Sequence, residues 1–331
     1  MALTIHRADR EELSALSPMR VAVIGYGNQG RAHALNLRDS GIEVIIGQRS
    51  GRSFDQARSD GFRPIPVTKA SSRADLIILT LPDESAAQTY DREIGLVVRP
   101  GHTLGFVHGF NIRFGFIQPP QDVDVVMIAP KGPGTLLRSL YLEGKGLPAL
   151  MAIHQDHSGR AKQTALAWAS AIGSMRSAVV ETTFAVETET DLFGEQAVLC
   201  GGVSALVKAA FETLVAAGYE PEFAYLECVH ELKQVVDLIY EGGISAMRDR
   251  ISNTAEYGDL TRGPRIVTDE TRAAMRRLLS EVRDGSFAAE WMAEHRGGGG
   301  NFRRLYENDA NSPMEQAGRN VRAWMPWLKR S

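Results

Sequence analysis

Residues 187–196 read E-T-E-T-D-L-F-G-E-Q and carry four acids within nine residues. Asp191 and Glu195 stand four apart, which on a helix puts both carboxylates on one face about a turn apart. Glu227 and Glu231 repeat that spacing in the segment Y-L-E-C-V-H-E. Like charges so placed repel unless a cation lies between them. Carboxylate oxygens are hard ligands, so the implied ion is divalent, most simply Mg²⁺. The alternative is two solvated helix faces. Leu192 and Phe193 flank the first pair, and Tyr225, Leu226 and Leu232 the second. The residues alone leave both readings open.

A second chemistry is written near the start. Gly25-Tyr26-Gly27-Asn28-Gln29-Gly30 follows the apolar run R-V-A-V-I-G and opens a helical window that stops at Asp39-Ser40-Gly41. A second strand, 43–47, comes next. Strand, glycines, helix and strand form the context in which G-x-G-x-x-G binds a dinucleotide. The glycines permit a tight turn and let the pyrophosphate approach the helix N-terminus. The second strand ends in Gln48-Arg49-Ser50-Gly51-Arg52-Ser53, with no acid for a ribose 2′-hydroxyl. Arg49, Arg52 and Ser53 suit a 2′-phosphate, so NADPH is the expected cofactor. Ligands of such sheets collect at the carboxyl ends of strands. Asp83, His108 and Lys131 all stand there: Asp83 in L-P-D-E, His108 before Gly109, Lys131 in A-P-K-G-P-G. Beside a nicotinamide ring, His108 or Lys131 could move a proton or stabilise charge.

The elements that must position these groups fall into two kinds. Apolar runs at 74–81, 103–108, 124–129, 147–153 and 175–180 alternate with helical windows, the pattern of a parallel sheet covered on both faces. Beyond residue 182 apolar residues recur at three and four, as in Leu206, Ala209, Ala210 and Leu214. The expected architecture is a Rossmann-type α/β domain over 1–182 and an all-α domain over 183–331 that carries both acid pairs. Gly297–Gly300 is expected to be a mobile surface turn between helices. Simple hydride transfer to a ketone needs no metal. A dinucleotide domain joined to a cation-binding one therefore points to a reductase that also rearranges its substrate.

Composition narrows the setting. A formal charge of −3 over 331 residues argues against nucleic acid or a membrane surface as partner. No apolar run is read as a membrane span, and the N-terminus lacks a signal-peptide layout. Cys200 and Cys228 are isolated, which suggests reduced core residues of a cytoplasmic protein and no zinc site. His154 and His157 are expected in a loop, and His33 and His230 packed on helices.

Together the motifs resemble ketol-acid reductoisomerase. The likeness rests on the glycine fingerprint, F-V-H-G-F-N-I at 106–112, A-P-K-G-P-G at 129–134 and E-T-T-F at 181–184. It continues through 187–202, 225–240, E-G-G-I at 241–244 and I-S-N-T-A-E-Y-G-D at 251–259, to M-P-W-L near the end. The resemblance implies two Mg²⁺ ions, the first on Asp191 and Glu195, the second sharing Asp191 and adding Glu227 and Glu231. It implies His108 and Lys131 as catalytic residues, Ser252 on the substrate carboxylate, and Arg49, Ser53 and Gly134 at the cofactor. The implied reaction is an alkyl shift in 2-acetolactate or its ethyl homologue, followed by NADPH reduction to the 2,3-dihydroxy acid of valine and isoleucine biosynthesis. A knotted helical domain and a homodimer, with the second acid pair supplied by the partner chain, are implied as well. The chain departs from the family's usual residues at Asn28, Arg31, Ala86, Thr135, Ala185 and the glycine run, and its 48–53 loop is one residue short. A diverged paralogue acting on another 2-hydroxy-3-keto acid or an imine fits these departures. A metal-free dehydrogenase of the 6-phosphogluconate type would need Lys-x-x-x-Asn where Lys208-Ala-Ala-Phe-Glu212 stands. A non-catalytic NADPH-binding protein would not need the acids, His108 and Lys131.

Overall fold

The computed structural model describes residues 2–7 and 10–328. Its contacts divide into two compact units, Met1–Thr190 and Asp191–Ser331, a division that falls inside a helix and not at a linker.

The first unit is built on an eight-stranded sheet: β1 (Ile5–His6), β2 (Val21–Ile24), β3 (Val44–Gly47), β4 (Leu76–Leu79), β5 (Thr103–Phe106), β6 (Asp124–Pro130), β7 (Ala149–Gln155) and β8 (Val179–Thr182). Their spatial order is β1-β8-β7-β6-β5-β4-β2-β3. β2 lies parallel between β3 and β4, Val21 facing Val44 on one side and Leu76 on the other. Alternate residues of β2 serve opposite faces: Val21 and Val23 join a core with Ile78 and Trp168, while Ala22 and Ile24 join one with Ile77, Leu104 and Phe106. Both faces are therefore buried, as its uninterrupted apolar run requires.

The sheet is not parallel throughout. β7 runs antiparallel to β6, and β1 antiparallel to β8. Residues 131–148 bring the chain back to the end of the sheet it had just left, where the Lys131 amide donates to the Pro148 carbonyl at 2.8 Å. A strand re-entering from that end must reverse. The run 175–180 begins as a 3₁₀ turn, Ser174–Arg176, and its strand starts only at Val179. His154 lies within β7 instead of a loop, its ring edge-on to Phe184 at 5.6 Å. Alternation of Ala149, Met151 and Ile153 into one core with Leu150 and Ala152 into the other carries the strand to that point.

Covering the sheet are α1 (Asn28–Asp39), α2 (Arg52–Ser59), α3 (Val67–Arg73), α4 (Asp83–Thr89), α5 (Phe110–Arg113), α6 (Gly134–Leu142) and α7 (Ala161–Ala171); α8 (Phe184–Gly194) follows β8.

The second unit is helical: α9 (Gly201–Ala216), α10 (Pro221–Tyr225), α11 (Leu232–Arg248), α12 (Asn253–Ile266), α13 (Asp269–Asp284), α14 (Ser286–Arg296), α15 (Gly300–Ala310) and α16 (Pro313–Ala323). Two π-helical turns interrupt it, Glu195–Leu199 and Leu226–His230. Its core is small, centred on Phe211, Ala224, Tyr225, Ala317 and Val321. α12 and α15 bury no residue at all. Gly297–Gly300 forms a tight turn, Gly298 and Gly299 taking φ of 90° and 68°.

Two expectations change here. Cys200 is exposed and Cys228 half-buried, both at π-helical turns and outside the core. The continuous helix Phe184–Ala216, 33 residues long, is also apolar and long enough to cross a membrane by length and composition. The glycine pair Gly201–Gly202 hides that continuity in the sequence.

Candidate active site

The glycine turn joins β2 to α1. Gly25 takes φ of 96°, and the Thr80 hydroxyl donates to the carbonyls of Ile24 and Gly25. A Cβ on Gly30 would stand 2.4 Å from the Gly25 carbonyl oxygen, so only glycine closes the turn. Gly27, at the start of α1, faces open space, and no side chain caps the helix. The uncapped N–H groups and the space above them suit a pyrophosphate. The loop after β6 packs against this turn. The Thr135 amide donates to Asn28 Oδ1 at 3.1 Å, Gln29 Nε2 donates to the Gly132 carbonyl, and a Cβ on Gly134 would meet the Asn28 carbonyl oxygen at 2.1 Å.

A cleft of about 370 Å³ opens at this junction, lined by Tyr26, Gly27, Asn28, Arg52, Ser53 and Gly134 from the sequence-derived set. Arg31, Gln56, Thr135 and Arg138 also line it. The Arg49 and Arg52 side chains are exposed and have no partner among the described residues, so both are available to a phosphate. Arg49 lies outside the cleft lining. Asp83 begins α4, where Asn111 Nδ2 donates to its carbonyl, and its Oδ2 lies 3.9 Å from His108 Nε2. Asp83, expected at the cofactor, thus stands beside His108 and outside the cleft lining.

At that end the organising group is Glu187, a residue without a role in the sequence reading. Its side chain is 1% exposed. Lys131 Nζ donates to Oε1 at 2.8 Å, the Gly109 amide donates to Oε2 at 3.0 Å, and His108 Nδ1 lies 3.2 Å from Oε2. Burial is the largest single influence and pushes the carboxyl pKa up. The hydrogen bond from His108 and the charges of His108 and Lys131 together outweigh it and hold Glu187 below its usual range. The strand ends of β5 and β6 thus deliver His108 and Lys131 to one ionised carboxylate on α8. The signal was present in the sequence: Glu187, Asp191 and Glu195 succeed one another at intervals of four.

Asp191 stands one turn beyond Glu187 on α8, and Glu195 opens the π-helical turn that follows. Glu227 and Glu231 bracket the end of the second π turn, where the Glu231 amide donates to the Leu226 carbonyl. Single-turn π bulges are frequent at functional sites. Glu195, Glu227 and Glu231 are exposed and Asp191 is half-buried. All four offer only oxygen, a donor set that fits Mg²⁺. Among the described residues, the one cluster of three or more ligand-type side chains joins His108, Glu187 and Asp191, whose ligand atoms lie within 4.8 Å of one another, and it does not include Glu195, Glu227 or Glu231. Ser252 caps α12, its oxygen accepting from the Ala255 amide, which leaves its O–H to donate.

Comparison with known proteins gives this geometry its context. Residues 15–178 match the family model described as acetohydroxy acid isomeroreductase, NADPH-binding domain, and residues 184–327 match ketol-acid reductoisomerase, C-terminal domain. A solved structure of an NADH-preferring ketol-acid reductoisomerase from an uncultured archaeon is 43% identical, with a TM-score of 0.95 over 98% of this chain and 100% of that one. A semialdehyde dehydrogenase NAD-binding protein from Cupriavidus necator is 17% identical, with a TM-score of 0.60 over 80% of this chain and 99% of that one, a likeness of fold alone. With both domains matched and one relative aligned over nearly its whole length, the chain belongs to the ketol-acid reductoisomerase family.

Proposed function

We propose that the protein converts 2-acetolactate, or 2-aceto-2-hydroxybutyrate, to the 2,3-dihydroxy acid with Mg²⁺ and NADPH, as a cytoplasmic homodimer of valine and isoleucine biosynthesis. The observation that carries the reading is the buried Glu187 carboxylate, which holds Lys131 and His108 together at the sheet's carboxyl edge. The reaction has two halves. First, the C2 hydroxyl loses its proton, the alkyl group migrates with its electron pair from C2 to C3, and the C3 oxygen gains a proton. Second, a hydride and a proton reduce the new C2 ketone.

When bound, Mg²⁺ on Asp191, Glu195, Glu227 and Glu231 would polarise the substrate oxygens, and NADPH would supply the hydride. The chain's own residues do the rest. Glu187 holds the Lys131 ammonium at 2.8 Å, where it would set positive charge against the oxygen charge that develops. It also orients His108 through Nδ1, with Nε2 turned toward Asp83 at 3.9 Å, where it would exchange protons with substrate. The Ser252 hydroxyl proton is free of the helix cap and donates to the substrate carboxylate.

NADPH is preferred in this reading because Arg49 and Arg52 are cations without a partner among the described residues and the loop offers no acid. The 43% identical archaeal relative prefers NADH, so both cofactors belong in the test. The test is oxidation of NADPH and NADH with 2-acetolactate, with Mg²⁺ and with a chelator. Mg²⁺-dependent turnover, faster with NADPH, is expected. No turnover under any condition overturns the reading, and turnover that survives chelation favours a metal-free dehydrogenase.

A further inference from the structure

α2 carries Arg52 and Ser53 at one end, yet it buries only Ala57. Apolar packing of its own residues therefore does little to fix where that end points. Its other end is bolted down by one carboxylate. Asp60, at the C-terminal cap of α2, accepts from Arg31 Nε at 2.6 Å and Tyr26 Oη at 2.9 Å through Oδ2. Its Oδ1 accepts from Arg31 Nη2 at 2.9 Å and Gln56 Nε2 at 3.2 Å. The Asp60 carbonyl also accepts from Arg38 Nη1 at 2.7 Å. Arg31 and Tyr26 belong to the glycine turn and first helical turn of α1, so this clamp ties α2 to the element that faces the pyrophosphate.

The clamp also sorts the charges of the cleft. Three of its lining residues are arginines. Arg31 is paired with Asp60, and Arg138 with Asp39 and the Asn36 side chain. Arg52 alone of the three has no partner among the described residues. A cofactor 2′-phosphate entering the cleft meets one uncommitted guanidinium, on the helix that Asp60 holds.

We propose that Asp60 is a positioning residue for cofactor choice: by clamping α2 to the glycine turn, it sets how strongly the enzyme prefers NADPH over NADH. The inference rests on the reading of Arg52 and Ser53 as the 2′-phosphate site. A loss confined to the phosphorylated cofactor separates this role from a merely structural one, because the pyrophosphate, ribose and nicotinamide contacts are common to both cofactors.

The test is fluorescence titration of the full-length protein with NADPH and with NADH, which reads binding without turnover. Asp60→Asn is expected to weaken NADPH binding about five- to tenfold and leave NADH binding within about twofold. The double variant Arg31→Met/Asp60→Asn should show the same loss, which excludes a compensating effect of the released Arg31. Tyr26→Phe, which removes one bond of the clamp, should shift the ratio the same way by a smaller factor, and it serves as the test where Asp60→Asn does not fold. A wild-type preference for NADPH that stays unchanged or rises in these variants overturns the inference and leaves the 2′-phosphate site standing. Equal wild-type affinity for the two cofactors overturns that site, and the inference with it.

Discussion

Glu187 illustrates how one side chain can organise a site through the residues it holds. It is buried, ionised, and shared by Lys131, His108 and the Gly109 amide. Glu187→Gln keeps the shape and removes the charge, leaving Lys131 and His108 without their anion. The expected result is a fall in kcat of roughly 10²-fold or more with NADPH affinity nearly unchanged, measured by steady-state kinetics beside cofactor titration. His33 is a different case, far from the chemistry in role. It is fully buried on α1, accepts the Trp168 Nε1 hydrogen on Nδ1, and therefore carries its own proton on Nε2. Burial pushes its pKa down to about 3 from 6.5. Below pH 6.5 the unfolded chain takes up a proton that the folded chain refuses. Stability is therefore full above that pH and declines by about 1.4 kcal/mol per pH unit as pH falls toward 3. His33→Asn, which keeps an acceptor and cannot titrate, should flatten this dependence, read from urea midpoints at pH 5 and 7. The sequence marked His33 as a packed residue because it stands in a helical window. It could not reveal the partner, which lies 135 positions away.

Among the elements, the junction of β5 with α8 is set by space. Gly109 has an ordinary φ of −85°, so its need for glycine is not conformational. A Cβ there would lie 2.3 Å from Thr188 Oγ1 and 3.0 Å from the Phe184 carbonyl oxygen. Gly109→Ala should cost about 1–3 kcal/mol by overpacking. It should also lower activity by moving Glu187 from His108, an outcome checked by thermal unfolding and kinetics on one preparation. Element by element, the parallel strands β2 to β6 were legible because each is an apolar run ending in Gly, Pro or Asp. The reversal of β7 was not, since direction depends on where an 18-residue connection returns and not on the strand's own residues. β1 was missed because a two-residue strand has no period to read. The π-helical turns were invisible for a related reason: an extra residue in a helix leaves no mark on hydrophobic spacing over so short a window.

For the whole molecule, the two units differ in how well each keeps water from its apolar groups. The first buries both faces of its sheet, while helices of the second leave Leu199, Leu206, Tyr240, Tyr257 and Tyr306 more than half exposed. Under the proposed homodimer, these side chains are the ones a partner would cover. Sedimentation velocity at micromolar concentration is expected to give a dimer or larger assembly, and charged substitution at Leu206 and Tyr257 together should shift it toward monomer. The four acids were legible as a possible cation site from spacing alone, but spacing within one chain carries no information about a second, so whether a partner supplies one pair was not legible there. The pairing of β1 with β8 sets a schedule as well as an edge. His6 and Glu181 are 175 positions apart. At roughly 5–20 residues per second of synthesis, the first strand waits about 9–35 seconds for its partner to be made. Throughout that interval it is only two residues long, too short to template pairing with a neighbouring nascent chain. The sheet therefore closes last at the strand that was made first.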